Sequence, residues 1–265
     1  MIVCFSGTGN TFHVASRLAE KVGTDIFMLE GTHLLNPAET ALDTKSSDEI
    51  VVWAFPTYSW GIPPVVSRFI EAFKAGKRIK SARHYMLTTC GDDIGQTDRQ
   101  WRKLMARRGF KSISAFSLIM PNTYVCMKGF DVDSPETARN KIEAANRRID
   151  EITDIINGTP RDLLNPGTFA WIKSKIIYPW FIRHAMSPKP FRHTEACVGC
   201  GLCAKICPMK NIAMTQENDG QRAPEWESQC AMCLRCYHAC PQHAIAYGHK
   251  TDGKGRQWLG LPLPK

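Results

Sequence analysis

The sequence lacks several features that would assign it to large classes of protein. None of its apolar runs approaches the roughly 18 to 20 residues that a helix needs to cross a bilayer, so we expect no transmembrane segment. With 43% hydrophobic residues, the chain has neither the composition of a disordered segment nor the repeats of collagen or a coiled coil. The first ten residues contain no basic segment followed by an apolar stretch, so we expect a soluble cytoplasmic protein.

Acidic residues are comparatively few. The chain has 34 lysines and arginines against 25 aspartates and glutamates, which gives a formal net charge of +9 over 265 residues. A charge of this size is typical of nucleic-acid-binding proteins, but it leaves out any charged cofactor that the chain carries. We therefore predict no nucleic-acid partner, and the length suggests about two domains.

Cysteine is scarce outside one segment. Eight of the 11 cysteines lie between Cys197 and Cys240, whereas Cys4, Cys90 and Cys126 are scattered. In a reducing compartment such a dense pattern favours metal binding over disulfides. The segment is an internal repeat with a period of 33 residues, in which Cys197, Cys200, Cys203, Cys207 and Pro208 recur as Cys230, Cys233, Cys236, Cys240 and Pro241.

Each copy of the repeat reads Cys-x2-Cys-x2-Cys-x3-Cys-Pro, the pattern that holds [4Fe–4S] clusters in bacterial ferredoxins. The alternative is a pair of Cys4 zinc sites, which need neither the third cysteine of each run nor the proline. Residues 195–248 resemble a bacterial-type ferredoxin with two [4Fe–4S] clusters. The resemblance implies that ligands cross between the runs, with one cluster on Cys197, Cys200, Cys203 and Cys240 and the other on Cys207, Cys230, Cys233 and Cys236.

The first 156 residues alternate strand and helix patterns. We predict strands over residues 2–5, 25–29, 50–55, 83–90 and 112–120, and helices over residues 11–22, 63–73, 96–108 and 134–156. This repetition predicts a doubly wound, parallel α/β sheet with helices on both faces. Ligands of such sheets bind at the carboxyl ends of the strands.

The turn after the first strand has the composition of a phosphate-binding loop. It consists of Ser6, Gly7, Thr8, Gly9, Asn10 and Thr11. Backbone N–H groups at a helix N-terminus favour a phosphate, and hydroxyl and amide side chains add donors. The loop lacks a basic residue, which favours a monophosphate, and Phe12 breaks the glycine pattern of dinucleotide-binding folds. A serine-rich turn that only caps the helix is the alternative.

This loop resembles the FMN phosphate loop of flavodoxins, and two later loops agree with the resemblance. After the third strand, where flavodoxins place an aromatic ring against the flavin, come Pro56, Thr57, Tyr58, Ser59, Trp60 and Gly61. Either Tyr58 or Trp60 would be the ring partner. After the fourth strand, where flavodoxins place a second flavin-contacting loop, come Cys90, Gly91 and Asp92. Residues 1–157 therefore resemble a flavodoxin-like FMN domain with a five-stranded sheet of order 2-1-3-4-5.

Residues 158–190 are predicted to form a helical linker to an α+β ferredoxin domain over residues 191–265. Within the linker, residues 169–186 combine large apolar residues with Lys173, Lys175 and Arg183, and Pro179 is expected to break the helix. The favoured interpretation is a helix packed between the two domains. The alternative is a helix that contacts a membrane surface.

The whole chain resembles the flavodoxin–ferredoxin fusion proteins of anaerobes. The resemblance implies intramolecular electron transfer between two [4Fe–4S] clusters and FMN, serving low-potential anaerobic metabolism. A redox protein or a small-molecule acceptor would be the partner. One alternative is a reductase in which FMN passes a hydride to a bound small molecule, and another is a zinc-binding module without redox chemistry. The sequence assigns no catalytic residue and leaves open whether the protein is an enzyme.

Overall fold

The computed structural model describes residues 1–44, 50–216 and 220–261. The strands in these ranges are β1 (Ile2–Cys4), β2 (Ile26–Met28), β3 (Ala41–Leu42), β4 (Ile50–Pro56), β5 (Lys74–Ala75), β6 (Arg83–Cys90), β7 (Ser112–Ile119), β8 (Phe191–His193), β9 (Ile212–Gln216), β10 (Arg222–Trp226) and β11 (Ile245–Tyr247). The α-helices are α1 (Asn10–Val22), α2 (Thr32–Leu35), α3 (Pro64–Ala72), α4 (Lys77–Ser81), α5 (Thr97–Arg107), α6 (Pro135–Asn157), α7 (Ala170–Ile172), α8 (Tyr178–His184), α9 (Leu202–Ile206) and α10 (Arg235–Ala239).

The central sheet is parallel and runs in the order β2-β1-β4-β6-β7. Counted among these five strands, the order is 2-1-3-4-5, which confirms the predicted flavodoxin-like fold. Strands β4 and β6 are buried over almost their whole length because their apolar runs face helices on both sides. The short pair β3–β5 was not predicted, since two-residue strands carry no periodicity.

Two apolar layers cover the faces of the sheet. One packs α3 and α5 through residues such as Phe69 and Trp101, and the other packs α1 and α6 through Leu18 and Ile149. Loops cover the carboxyl edge of the sheet. In this fold they form a ligand-binding crevice at the point where the strand order reverses.

The C-terminal part folds as two copies of one unit, as the sequence repeat predicts. Helix α10 begins 33 residues after α9, and the two copies exchange strands, since β8 pairs antiparallel with β11 and β9 with β10. The repeat extends to the backbone: left-handed φ angles occur in three pairs 33 residues apart, at Gly199 and Met232, Gly201 and Leu234, and Lys210 and His243. The two cysteine runs therefore follow the same path.

The linker contains one continuous helix over residues 170–184, here called the connector helix, made of α7, a π-helical turn (Lys173–Ile177) and α8. The predicted break at Pro179 is wrong. The Tyr178 N–H donates to the Lys173 carbonyl oxygen, and this widened turn accommodates a proline that has no N–H of its own. In the described part of the chain, the helices are all too short or too polar to cross a membrane.

Candidate functional site

A cavity of about 130 Å³ opens at the carboxyl edge of the sheet. Its walls come from the loops that follow the strands, which is where ligands of parallel sheets bind. The lining residues are Ser6, Gly7, Thr8, Asn10, Thr11, Pro56, Thr57, Tyr58, Thr89, Cys90, Gly91, Met120, Pro121, Asn122, Thr123, Tyr124 and Cys233. All three predicted loops therefore meet at one cavity.

Part of the second loop lies elsewhere. Tyr58 lines the cavity, whereas the carbonyl oxygen of Trp60 accepts a hydrogen bond from the Ser174 hydroxyl over 2.8 Å. The ammonium of Lys173 lies 5.1 Å from the centre of the Trp60 ring. Gly61 lies against the ring of Tyr178. Of the two aromatic candidates, Tyr58 thus lines the cavity and Trp60 packs on the connector helix.

The predicted residues that do not line the cavity are Gly9, Ser59, Trp60, Gly61 and Asp92. The Asp92 carbonyl oxygen accepts from the Asn165 side chain over 2.6 Å, on the side of the linker. Gly9 has a φ of 100°, and a side chain there would collide with the Gly260 backbone. Nearby, the Leu259 N–H donates to the Thr8 carbonyl oxygen. Gly9 therefore allows the backbone of residues 259–260 to approach the glycine loop.

Two buried polar atoms in the cavity wall have no hydrogen-bond partner among the described residues: Oδ1 of Asn10 and the hydroxyl of Tyr58. The Asn10 side chain is held in place, because its Nδ2 donates to the Pro121 carbonyl oxygen over 2.8 Å. Burial, and secondarily the thiols of Cys233 and Cys230, raise the pKa of Tyr58 well above its usual value, so its hydroxyl keeps its proton. Orphaned buried polar atoms call for a partner, and a ligand with both donors and acceptors fits them.

Residues 120–124, directly after β7, form a fourth wall that sequence reasoning missed. The Asp133 carboxylate accepts from the Asn122 side chain over 3.0 Å and pairs with Lys141 over 2.8 Å, which fixes this segment. The rule that ligands bind beyond the carboxyl ends of parallel strands would have found it. The loops predicted from the sequence follow only the first, third and fourth strands.

The eight cysteines of the repeat surround two further cavities. One is lined by Cys197, Cys200, Cys203 and Cys240, and the other by Cys207, Cys230, Cys233 and Cys236. Each cavity thus combines three cysteines of one run with the last cysteine of the other. This is the crossed arrangement that the resemblance implies.

The thiols in these cavities interact with one another. Burial raises the pKa of Cys203 to about 11, and Cys200, Cys197 and Cys240 add to the rise. Burial likewise raises the pKa of Cys230 to about 12, with contributions from Cys233 and Cys207. Four such thiols would lose their protons together only if a cationic centre compensated their mutual repulsion.

Backbone amides also point at the cysteine sulfurs. The Asn211 N–H donates to Sγ of Cys207 over 3.4 Å, and the Ala244 N–H donates to Sγ of Cys240 over 3.3 Å, so this contact repeats in both copies. Such donors stabilise thiolate ligands and set cluster potentials. Among the described residues, no three His, Cys, Asp or Glu side chains converge closely enough to hold a single metal ion.

Helix α10, which lies in the second cysteine run, is hydrogen-bonded to the glycine loop at the sheet edge. The guanidinium of Arg235, whose side chain is 2% exposed, donates to the carbonyl oxygens of Ser6, Gly7 and Ile206 over 2.7, 3.2 and 2.9 Å. It also pairs with Glu30 over 3.1 Å. Arg235 thus connects a cysteine run directly to the glycine loop.

His238, one turn further along α10, makes a second connection. Its Nδ1 accepts from the Gln257 N–H, so Nε2 donates to the Thr123 carbonyl oxygen over 2.8 Å. Gly7 lies against the backbone of Cys233, and an added Cβ at Gly7 would stand 2.5 Å from the Cys233 carbonyl oxygen. The sequence alone indicates no role for Arg235 or His238, because their partners at the sheet edge, Ser6, Gly7 and Thr123, lie more than 100 residues away along the chain.

The three cysteines outside the repeat are all buried, Cys4 and Cys90 in the two apolar layers of the sheet and Cys126 in the apolar cluster of the C-terminal part. Cys4 lies within β1, and burial raises its pKa. Burial likewise raises the pKa of Cys90 and of Cys126 to about 12, so both remain protonated thiols at neutral pH. Cys4 is a small apolar core residue, as we expected.

Comparison with known proteins supports the two parts to different degrees. Residues 196–244 match the family model of the 4Fe-4S dicluster domain. No curated protein matches the chain by sequence. The two-electron reduced flavodoxin of Megasphaera elsdenii is 19% identical over 56% of this chain and 97% of its own, with a TM-score of 0.35.

Two further structures have similar values. The flavodoxin of Streptococcus pneumonia TIGR4 is 17% identical, over 57% of this chain and 94% of its own, with a TM-score of 0.34. The Trp repressor binding protein of Bacillus subtilis is 12% identical, over 55% of this chain and 94% of its own, with a TM-score of 0.35. The fold assignment rests on the strand order of this chain rather than on these scores.

Clusters bound by cysteine thiolates carry electrons, so the dicluster match indicates electron transfer as the general role of the C-terminal part. The N-terminal part has the strand order and the ligand crevice of the flavodoxin-like fold. The chain therefore has the architecture of a flavodoxin–ferredoxin fusion.

Proposed function

We propose that this protein transfers electrons between two [4Fe–4S] clusters and an FMN within one chain. One observation carries the proposal: Cys233 belongs to a four-cysteine cavity and also lines the cavity at the edge of the sheet. Because a side chain shared by both sites leaves little protein between them, the arrangement suits direct exchange of electrons. FMN would convert between one-electron and two-electron steps.

The residues of each cysteine cavity fit a cubane cluster. Soft thiolates are the ligands of iron–sulfur centres, and the remaining lining is largely apolar, with Val198, Leu202 and Met214 in one cavity and Met209, Ile212 and Trp226 in the other. We propose two sets of ligands. The outer cluster, named for the exposed Cys200, would bind to Cys197, Cys200, Cys203 and Cys240. The inner cluster, named for Cys233 at the sheet-edge cavity, would bind to Cys207, Cys230, Cys233 and Cys236.

The residues of the larger cavity fit a flavin mononucleotide. Ser6, Thr8 and Thr11 supply neutral donors at the N-terminal end of α1 for a monophosphate. The ring of Tyr58 offers an apolar surface for the isoalloxazine, and its hydroxyl offers a donor. Oδ1 of Asn10, which accepts only, suits a ligand hydroxyl rather than a phosphate oxygen.

The two cysteine sets differ in their exposure to solvent, and this difference suggests the order in which electrons would pass through them. Cys200 is exposed and its neighbour Val198 is 60% exposed, whereas Cys236 is buried and Cys233 lines the cavity at the sheet edge. We propose that an external redox partner exchanges electrons at the outer set and that the inner set faces the FMN.

The proposed limits of the FMN domain, the linker and the ferredoxin domain are residues 1–157, 158–190 and 191–265. We propose that the protein serves low-potential anaerobic metabolism.

Cofactor content tests the proposal. Protein purified without oxygen should contain about eight irons and one FMN. Cys200→Ser should lower the iron content to about half and keep the flavin. Cys4→Ala, at a buried cysteine of β1 that lines none of the three cavities, should change neither. A colourless protein that contains zinc, or one without flavin, would contradict the proposal.

Electron transfer itself is tested by rapid mixing. When the protein is mixed with a one-electron donor, Cys233→Ser should slow the reduction of the flavin strongly, whereas the control Cys4→Ala should not. The hydride-transfer alternative predicts in addition that a small organic acceptor is reduced catalytically. Steady turnover of such an acceptor with unchanged rates in Cys233→Ser would favour that alternative.

A further inference from the structure

The connector helix turns its polar residues towards the protein. The hydroxyl of Ser174 is buried, where it accepts from the Gln96 N–H over 2.7 Å and donates to the Trp60 carbonyl oxygen. Lys173 pairs with Asp93 over 2.6 Å. The Tyr178 hydroxyl donates to the Ile62 carbonyl oxygen over 2.6 Å. These contacts fix which face of the helix lies inward.

The opposite face is apolar and faces outward. The described residues include nine exposed large hydrophobic side chains, and six of them belong to this segment: Phe169, Trp171, Ile172, Ile176, Ile177 and Trp180. Phe169 is 76% exposed, and Trp171, Ile176 and Trp180 are each more than half exposed. The favoured sequence interpretation, a helix packed between the two domains, therefore does not hold for these six side chains. Only Phe181 of the large apolar residues on this helix is buried, next to Tyr124.

An exposed apolar patch of this size indicates a contact surface. Scattered exposed leucines or isoleucines need no explanation, but six neighbouring residues do. The helix is about 22 Å long, with Trp171 and Trp180 near its two ends. Tryptophan prefers the interface between headgroups and acyl chains, and one on each end would hold the helix parallel to a bilayer.

The exposed lysines and arginines of the helix and of the groove beside it form a positively charged rim around the patch. Lys175 and Arg183 are exposed on the helix, and Arg99 and Lys103 on α5 line a groove together with Trp171 and Lys175. Residues 163–194 contain five lysines and arginines and no aspartate or glutamate. A basic rim around an apolar and aromatic face is complementary to an anionic lipid surface.

We propose that the connector helix attaches the protein to the surface of an anionic bilayer, with its outward apolar residues inserted at the headgroup level. A specific protein partner would need hydrogen-bonding groups that fix its position, but the outward face presents apolar side chains surrounded by positive charge. An anionic bilayer requires only an apolar surface and positive charge. The contact does not depend on bound clusters or flavin, because no cysteine of either set and no lining residue of the flavin cavity lies on this face.

Flotation of the full-length holoprotein with lipid vesicles tests this attachment. Binding to vesicles of phosphatidylcholine plus phosphatidylglycerol is expected, with weaker binding to phosphatidylcholine alone and loss of binding at high salt. The exposed tryptophans should show a blue shift of their fluorescence on binding. Absence of binding to the anionic vesicles would overturn the proposal.

Variants with matched controls identify the face. Ile176→Ser and Lys175→Glu should each weaken vesicle binding by roughly tenfold. Ile119→Ser, at an exposed isoleucine of β7, and Lys80→Glu, at an exposed lysine of α4, should leave vesicle binding unchanged. Equal effects of the controls would overturn the assignment to this helix. A dimer in solution that Ile176→Ser dissociates would also overturn it, in favour of self-association.

Discussion

The Nη2 atom of Arg235 donates to the carbonyl oxygen of Ser6 over 2.7 Å, across 229 residues of chain. Ser6 begins the glycine loop, and Arg235 lies between two cysteines of the second run. Through this contact the mutual position of the proposed FMN and inner-cluster sites depends on one buried side chain.

Substitution of Arg235 should loosen this connection. Arg235→Met leaves three carbonyl oxygens without their donor and Glu30 without its partner, so we expect a loss of about 3 kcal/mol in the free energy of unfolding. The positive charge beside Cys233 also disappears, which should lower the potential of the inner cluster by an amount on the order of tens of millivolts. Chemical denaturation and an EPR-monitored redox titration measure the two effects.

Arg235→Lys separates charge from geometry. It keeps the positive charge but not the planar array of donors, so the potential should stay near that of the wild type while stability falls. Arg222→Met, at an exposed arginine of β10, is the control and should alter neither quantity. A shift in potential as large for Arg235→Lys as for Arg235→Met would contradict the role of the charge.

Gly7 should tolerate no side chain. In Gly7→Ala the new Cβ meets the Cys233 carbonyl oxygen, so the ferredoxin part must move away from the glycine loop, and both flavin affinity and the inner cluster's EPR spectrum should change. Gly109→Ala is a suitable control, because its φ of 70° strains the backbone while no atom lies within 4 Å of the added Cβ. The control should cost about 1 kcal/mol of stability without altering either cofactor. Normal flavin affinity in Gly7→Ala would argue against close contact.

Tyr58 and Trp60 should differ in their effects on flavin binding. Tyr58→Ala removes the aromatic wall of the cavity, and we expect at least a tenfold rise in the Kd for FMN, about 1.4 kcal/mol. Trp60→Ala should change the Kd little, because that ring packs on Lys173 of the connector helix. Titration of the flavin-free protein with FMN, followed by fluorescence quenching, compares them. The reverse order of effects would show that Trp60 is the ring partner.

His84 should make the protein less stable in acid. Burial lowers the pKa of His84 from 6.5 to about 4, and its neutral ring accepts from Trp53 and donates to the Ile79 carbonyl oxygen. The unfolded chain therefore binds more protons between these pH values, so stability falls as pH drops from about 6.5 towards 4. The loss approaches about 3 kcal/mol.

Denaturation curves at several pH values measure this dependence. His84→Phe should reduce the slope between pH 4 and 6.5, and the remaining slope should come from His238, whose pKa burial also lowers to about 4. The variant also removes the Trp53 partner and so lowers stability at neutral pH. His249→Gln, at a histidine whose side chain is 92% exposed, is the matched control and should leave the slope as it is. An unchanged slope in His84→Phe would contradict this assignment.

Much of this protein can be predicted from local patterns. Buried runs such as that of Ile50–Pro56 specify strands, and the strand–loop–helix sequence around Ser6 predicts a ligand site at the sheet edge. Likewise, the two cysteine runs determine their own loops, because the spacing of ligands within a run is a property of a few consecutive residues. Because these features depend on a few consecutive residues, they can be predicted without the tertiary structure.

Only the tertiary structure decided the rest. It placed Tyr58 rather than Trp60 on the cavity wall, brought Cys233 to that wall, and turned the apolar face of the connector helix outward. The connector shows why periodicity could not settle this. An amphipathic pattern states that a helix has two faces, but the hydrogen bonds of Ser174 and Tyr178 with residues 78 and 116 positions away determine which face meets the protein. Contacts between distant segments depend on the packed fold, and no local pattern contains them.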